Sequence, residues 1–259
     1  MSDFEFIKTE RDGNLFIVTI NRPERMNACH PPTNFELEAA FDQFASDDDL
    51  WVAIITGEGD RAFSAGNDLR YQAEGHKIER PKTGFGGLTS RFDLTKPVIA
   101  AVNGVAMGGG FEIALACDLI IASDNARFAL PEPRVGLLAA AGGVHRLPRS
   151  IPMKHAMGMM LTGRHVPAEE GFQLGFVNEV VPQAELMDAA KRWAGLILEC
   201  SPLSIRATKE AVYNGFSADS LEAAIKTVFP GMETMRNSED FIEGPKAFAE
   251  KRQPNWKGK

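Results

Sequence analysis

Residues 96–123 read KPVIAAVNGVAMGGGFEIALACDLIIAS. From Pro97 to Ala122 the chain is more apolar than anywhere else, yet Asn103, Glu112, Asp118 and several glycines interrupt the run. Charge at bilayer depth is costly, so this is not a membrane span. It divides instead into a buried strand over 97–102, a turn at Asn103-Gly104, a helix from the glycine triplet 108–110 to Cys117, and a strand over 118–123. Strands and helices alternating in so short a run predict an α/β fold.

The flanks extend that pattern. Residues 5–9 and 14–20, split by Asp12-Gly13, predict a hairpin. A helix is expected from Pro31 through Phe44, ending at Asp47-Asp48-Asp49. WVAIIT (51–56) is a short buried strand; further short strands are expected at Ala62–Ser64 and Arg127–Ala129. Residues 73–88 lack periodicity and predict a surface excursion. Beyond about residue 140 strands become rare apart from Phe176–Val181. Helices are expected over Ala184–Leu198, Leu203–Tyr213 and Ala218–Phe229. The chain is thus α/β first and helical later, with no linker between the parts. The strand–loop–strand units of the first half differ too much to establish a sequence repeat.

Composition narrows the function. The chain has 259 residues, 44% hydrophobic and 24% charged, enough for a substantial core. Its net charge is −7 with no basic block, which argues against nucleic acid as a partner. Cys29, Cys117 and Cys200 are odd in number and widely spaced, so neither a disulfide framework nor a zinc site is expected. The acidic start MSDFEF is unlike a secretory signal, and a reduced, cytoplasmic protein without membrane attachment is expected.

Three features carry candidate chemistry. Gly57-x-Gly59-x-x-Ala62 imitates a dinucleotide fingerprint, but AFSAG follows it where a helix should begin, so it reads as a turn. Gly108-Gly109-Gly110 stands between a strand and an apolar helix. Such glycines either admit a ligand to the free N–H groups of the helix start or let the helix pack closely. Glu112, in the first turn of that helix, and Glu132, between Pro131 and Pro133, are carboxylates in apolar surroundings. Together they suggest acid–base work with raised pKa values, although spacing alone does not bring them together. The five histidines show no metal-ligand spacing, and no metal is expected.

These residues lie in motifs that resemble the crotonase (enoyl-CoA hydratase/isomerase) superfamily along nearly the whole chain. The motifs are NRPERMNA (21–28), AIITGEGDRAFSAGNDL (53–69), residues 96–123, ARFALPEPRVGLL (126–138), AGGVHRLPR (141–149) and SPLSIRATKEAV (201–212). GGLTSRFDLTKPVIAAVNG (86–104), PQAELMD (182–188) and SEDFIEGPKAFAEKRQPNWKGK (238–259) are most similar to members acting on carnitinyl-CoA and crotonobetainyl-CoA. The resemblance implies a crotonase fold: a ββα superhelical core over 1–195, holding the active site, and a helical trimerisation region over 196–259. It implies a homotrimer or a homohexamer made as a dimer of trimers. It also implies an acyl-CoA substrate and no separate cofactor, coenzyme A being part of the substrate.

By motif position the resemblance implies an oxyanion hole from the backbone N–H groups of Asn67 and Gly109. Glu112 and Glu132 become the catalytic pair of a hydratase, Glu112 activating water and Glu132 exchanging the Cα proton. Ala65, Asp68, Leu69, Arg70, Gly108, Ala140 and Lys251 are implied to bind CoA or substrate. Arg70 stands where a basic side chain meets the CoA phosphates, and Lys251 would reach a neighbouring subunit's CoA. Ala139-Ala140 replaces the Pro-Gly or Pro-Asp pair of family hydratases. The Ala140 N–H is still expected to help hold the water, but alanine resists positive φ, so the loop's shape is in question. A carnitinyl group would need aromatic faces or carboxylates for its trimethylammonium, and Phe85 lies near the variable segment. The leading expectation is a reversible hydro-lyase of 2-enoyl-CoA thioesters. The rivals are another crotonase reaction, such as isomerisation or thioester hydrolysis, and a catalytically silent acyl-CoA binder.

Overall fold

The computed structural model describes residues 4–259. Its strands are β1 (Ile7–Asp12), β2 (Leu15–Ile20), β3 (Val52–Gly57), β4 (Ala62–Ser64), β5 (Val98–Val102), β6 (Val105–Met107), β7 (Leu119–Ser123), β8 (Arg127–Ala129), β9 (Val166–Pro167) and β10 (Glu179–Val181). The helices of the first part are α1 (Pro31–Ser46), α2 (Leu69–Ala73) and α3 (Gly109–Ala116). Those after it are α4 (Gly143–Ser150), α5 (Met153–Thr162), α6 (Ala168–Leu174), α7 (Leu186–Leu198), α8 (Pro202–Gly215), α9 (Leu221–Lys226), α10 (Pro230–Arg236) and α11 (Glu239–Ala249).

Two sheets form. The larger has the order β1-β2-β3-β5-β7-β10, the smaller β4-β6-β8-β9. β1 and β2 are the expected hairpin, antiparallel from Ile7 opposite Ile20 to Asp12 opposite Leu15. From β2 to β10 the larger sheet is parallel. Successive turns of chain repeat one plan: β3 then β4 then α2, and β5 then β6 then α3. Each turn gives one strand to each sheet before its helix. The repeat is one of geometry rather than of residues. β6 was hidden in the sequence because VAM follows the Asn103-Gly104 turn for only three residues.

β3 and β5 are wholly buried, as parallel strands covered on both faces must be. On one face α7 covers Ile54, Ile99 and Ala101 with Leu186, Ala190 and Ala194. On the other lie α1, α3 and a knot of Phe111, Phe128 and Phe176, ring centroids 5.1–5.2 Å apart. In α3 every residue from Gly109 to Leu115 is buried, which accounts for its all-round apolarity.

Three expectations need correction. Residues 73–88 are not all a surface excursion, because Phe85, Gly86, Gly87 and Leu88 are buried. Between Ala218 and Phe229 only Leu221–Lys226 is helical: Ser220 caps its start through the Ala223 N–H, and Thr227 turns extended before Pro230. The strand expected at Phe176–Val181 shrinks to Glu179–Val181, since Gly175 ends α6 in the left-handed region and the Phe176 and Val177 N–H groups donate back to Gly171.

Candidate active site

α3 is preceded by Gly108, whose φ of 53° and ψ of −123° suit only glycine. Its N–H donates to Ala129 O (2.9 Å), fastening the helix start to β8. Gly109 opens the helix, so its own N–H has no acceptor within it. The loop carrying Asn67 runs alongside: Gly66 (φ 88°) faces this helix start, and a Cβ there would lie 2.9 Å from Gly109 N. Asn67 forms a parallel bridge with Cys29. The bridge uses Gly66 O, accepting from Cys29 N–H (2.8 Å), and Asp68 N–H, donating to Cys29 O (3.2 Å). Asn67's own N–H therefore points to the other side of its strand. Its side-chain amide donates to Gln72 Oε1 (3.0 Å).

Both carboxylates reach the same place. Glu132 opens a short 3-10 turn, Glu132–Val135, and its Oε1 lies 2.9 Å from where a Cβ on Gly108 would stand. Its Oε2 is buried with no hydrogen-bond partner. Glu112 is only 3% exposed. Its Oε1 accepts the Gly143 N–H (2.8 Å) at the start of α4. Burial pushes its carboxyl up to about 7, the Gly143 N–H works against the rise, and the charge of Glu132 adds to it. Burial raises the Glu132 carboxyl too. Two carboxyl groups that resist ionising together can exchange one proton across a bound water, while N–H groups at a helix start can polarise a carbonyl.

The other expected positions divide. Ala65 and Gly108 lie within this cluster's loops, while Leu69 and Arg70 are exposed on α2. Asp68 is committed to the fold: it pairs with Arg22 (3.0 Å) and caps α2 through the Tyr71 N–H (3.2 Å). Burial alone would raise the Asp68 carboxyl, but those two donors hold it below its usual range. The Ala140 N–H donates to Leu138 O (2.7 Å), a tight turn that withholds it from a water in this conformation. The N–H given to Glu112 comes from Gly143 instead. Neither Ala139 nor Ala140 has positive φ, so alanine is unstrained there. Lys251 is exposed just beyond α11. Gly143 escaped the sequence reading, although Gly142-Gly143 before a helix is the same signal as the triplet 108–110.

The sequence and the fold both have known relatives. Residues 10–259 match the enoyl-CoA hydratase/isomerase family. The chain is 47% identical to the carnitinyl-CoA dehydratase of Escherichia coli (strain K12), covering 98% of this chain and 99% of that protein. Its fold matches the enoyl-CoA hydratase from Mycobacterium tuberculosis H37Rv with a TM-score of 0.91 at 38% identity, covering 98% and 99% of the two chains. The carnitinyl-CoA hydratase from Mycobacterium avium gives a TM-score of 0.78 at 39% identity with the same coverage. The chain belongs to the enoyl-CoA hydratase/isomerase family.

Proposed function

We propose that this enzyme, a hydro-lyase of the enoyl-CoA hydratase type, interconverts crotonobetainyl-CoA and carnitinyl-CoA by adding water across the 2,3 double bond. One observation carries the reading: Glu132 and the start of α3, which bears Glu112, meet at Gly108, beside the N–H of Gly109. Full-length likeness to a carnitinyl-CoA dehydratase supports the choice of acyl group.

The thioester oxygen accepts from the N–H groups of Asn67 and Gly109. One such donor contributes about 3–4 kcal/mol to an enolate-like transition state, and the positive end of α3 adds to it. Ionised Glu112 takes a proton from water as the water oxygen bonds to Cβ, and protonated Glu132 gives its proton to Cα. Dehydration reverses both transfers. Stabilisation by N–H donors requires no further cofactor, coenzyme A belonging to the substrate. Ala65, Leu69, Arg70, Gly108 and Lys251 are read as CoA contacts, with Arg70 beside the phosphates.

We also read residues 1–195 as the catalytic core and 196–259 as the part that assembles a homotrimer or a dimer of trimers. Phe216, Leu221, Ile225, Ile242 and Phe248, all exposed in the single chain, support it. No helix among the described residues is long and apolar enough to cross a membrane, and we place the enzyme in the cytoplasm.

A turnover screen over several enoyl-CoAs, followed by loss of the enoyl-thioester absorbance, tests the reading. Crotonobetainyl-CoA should give the highest kcat/KM. Faster hydration of crotonyl-CoA would change the acyl assignment, and tight binding without turnover of any enoyl-CoA would leave an acyl-CoA binder.

A further inference from the structure

We propose that Phe85 is a positioning residue for the oxyanion site, anchored by Asn34. The inference rests on the hydratase reading and extends it to a segment outside the catalytic motifs. Phe85 is 3% exposed, and its ring lies flush against Gly109. A Cβ on Gly109 would stand 2.5 Å from Phe85 Cε1 and 2.7 Å from Cζ. The next residue, Gly86, is equally tight against Ile113 one turn further along α3, where a Cβ would stand 2.5 Å from Ile113 Cδ1.

The segment is tied at its other side to α1. Gly86 N–H donates to Asn34 Oδ1 (2.7 Å), Asn34 Nδ2 donates to His30 O (3.1 Å), and Asn34 is 2% exposed. Three residues earlier in the segment, Thr83 Oγ1 donates to Glu38 Oε1 (2.8 Å). His30 directly follows Cys29, the residue bridged to Asn67. The two oxyanion donors sit on separate segments, and beyond half-buried Asn67 this path between them runs through buried residues: Asn67, Cys29, His30, Asn34, Gly86, Phe85, Gly109. A ring whose segment is tied to α1 through Gly86 and Thr83, and which presses against the Gly109 backbone, sets how far α3 approaches Asn67. Oxyanion stabilisation depends on donor placement at the scale of tenths of an ångström, so such a contact acts on kcat more than on substrate affinity.

The test is a double-mutant cycle in the full-length enzyme. Gly109→Ala keeps the N–H but drives a methyl into the Phe85 ring, and kcat should fall about 100-fold. Phe85→Val opens the same space and should lower kcat about tenfold with KM changed less than about twofold. Combined, the two should be more active than Gly109→Ala alone, since the methyl then has room. Should Phe85→Val fold poorly, Phe85→Leu provides the same comparison.

The second readout is the infrared carbonyl stretch of bound butyryl-CoA, which has no double bond to hydrate. Its downshift should be large in the wild type and smaller in Phe85→Val. Wild-type kcat and carbonyl shift in Phe85→Val, or effects that simply multiply in the double variant, would overturn the inference. A wild type that shifts the carbonyl yet hydrates nothing sinks the hydratase reading and leaves this one standing; one that shifts no carbonyl sinks both.

Discussion

Glu112 is the residue on which the proposed chemistry turns. Its carboxyl rises from 4.5 to about 7 because burial penalises the ion. A carboxyl raised on folding stabilises the fold fully below its unfolded value, and that stability is lost as pH rises through the folded one. Each unit is about 1.36 kcal/mol, so roughly 3 kcal/mol disappears between pH 4.5 and 7. Glu112→Gln keeps an acceptor for the Gly143 N–H and has nothing to ionise. Its melting temperature should match wild type near pH 4.5 and exceed it at pH 8; equal values at both would refute a raised carboxyl. The same variant, and Glu132→Gln, should each lose about 10²–10⁴-fold in kcat. Hydration needs one carboxyl ionised and one protonated, so kcat/KM should trace a bell whose limbs belong to the pair. Both glutamates were legible in the sequence, Glu112 as a carboxylate inside FEIALAC and Glu132 as one held between two prolines in ALPEPRVG. The N–H that receives Glu112 was not, since every residue but proline has one and only the fold aims it.

Among the elements, α2 depends most on a buried pair. Arg22 and Asp68 are 10% and 8% exposed in their side chains and 3.0 Å apart. Removing one partner strands the other's charge, which costs about 3–5 kcal/mol. Asp68→Ala should therefore lower the denaturation midpoint sharply and loosen Leu69–Ala73, measurable as faster amide exchange there. A raised KM for CoA esters with unchanged stability would instead make Asp68 a ligand contact. The loop at Ala139 illustrates a different limit of sequence. It showed an unusual Ala-Ala pair, but whether the Ala140 N–H meets solvent or Leu138 O depends on a turn that no residue type there dictates.

Across the whole molecule, the C-terminal part closes on itself and meets the core at its end. Asp240, 3% exposed, accepts the Lys257 N–H (2.7 Å), the Gly258 N–H (3.1 Å) and Ser201 Oγ (3.2 Å). Gly258 rests near Trp51, at the foot of β3. Asp240→Ala leaves these donors unpaired and should destabilise the fold by about 1–3 kcal/mol, a cost that chemical denaturation would read. The outer faces of α9 and α11 leave Ile225 and Phe248 exposed, 75% and 87%. If these helices assemble subunits, Ile225→Glu with Phe248→Glu should reduce a trimeric mass in sedimentation to that of one chain. An unchanged mass would place the interface elsewhere.

The sequence by itself determined which segments are buried: unbroken apolar runs such as VIAAV and an all-round apolar α3 fit nowhere but a core, so the α/β class and the intruding Glu112 were both readable from residues 96–123. Short-range patterns also placed the hairpin, α1 and α7, because hydrophobic period and turn residues are local properties. Tertiary structure alone decided that Glu132 meets Gly108, that Gly143 caps Glu112, and that Phe85 leaves the supposed surface excursion to press on Gly109. Those contacts join residues distant along the chain. They follow from how the two sheets and α1 enclose α3, and no local pattern encodes that enclosure.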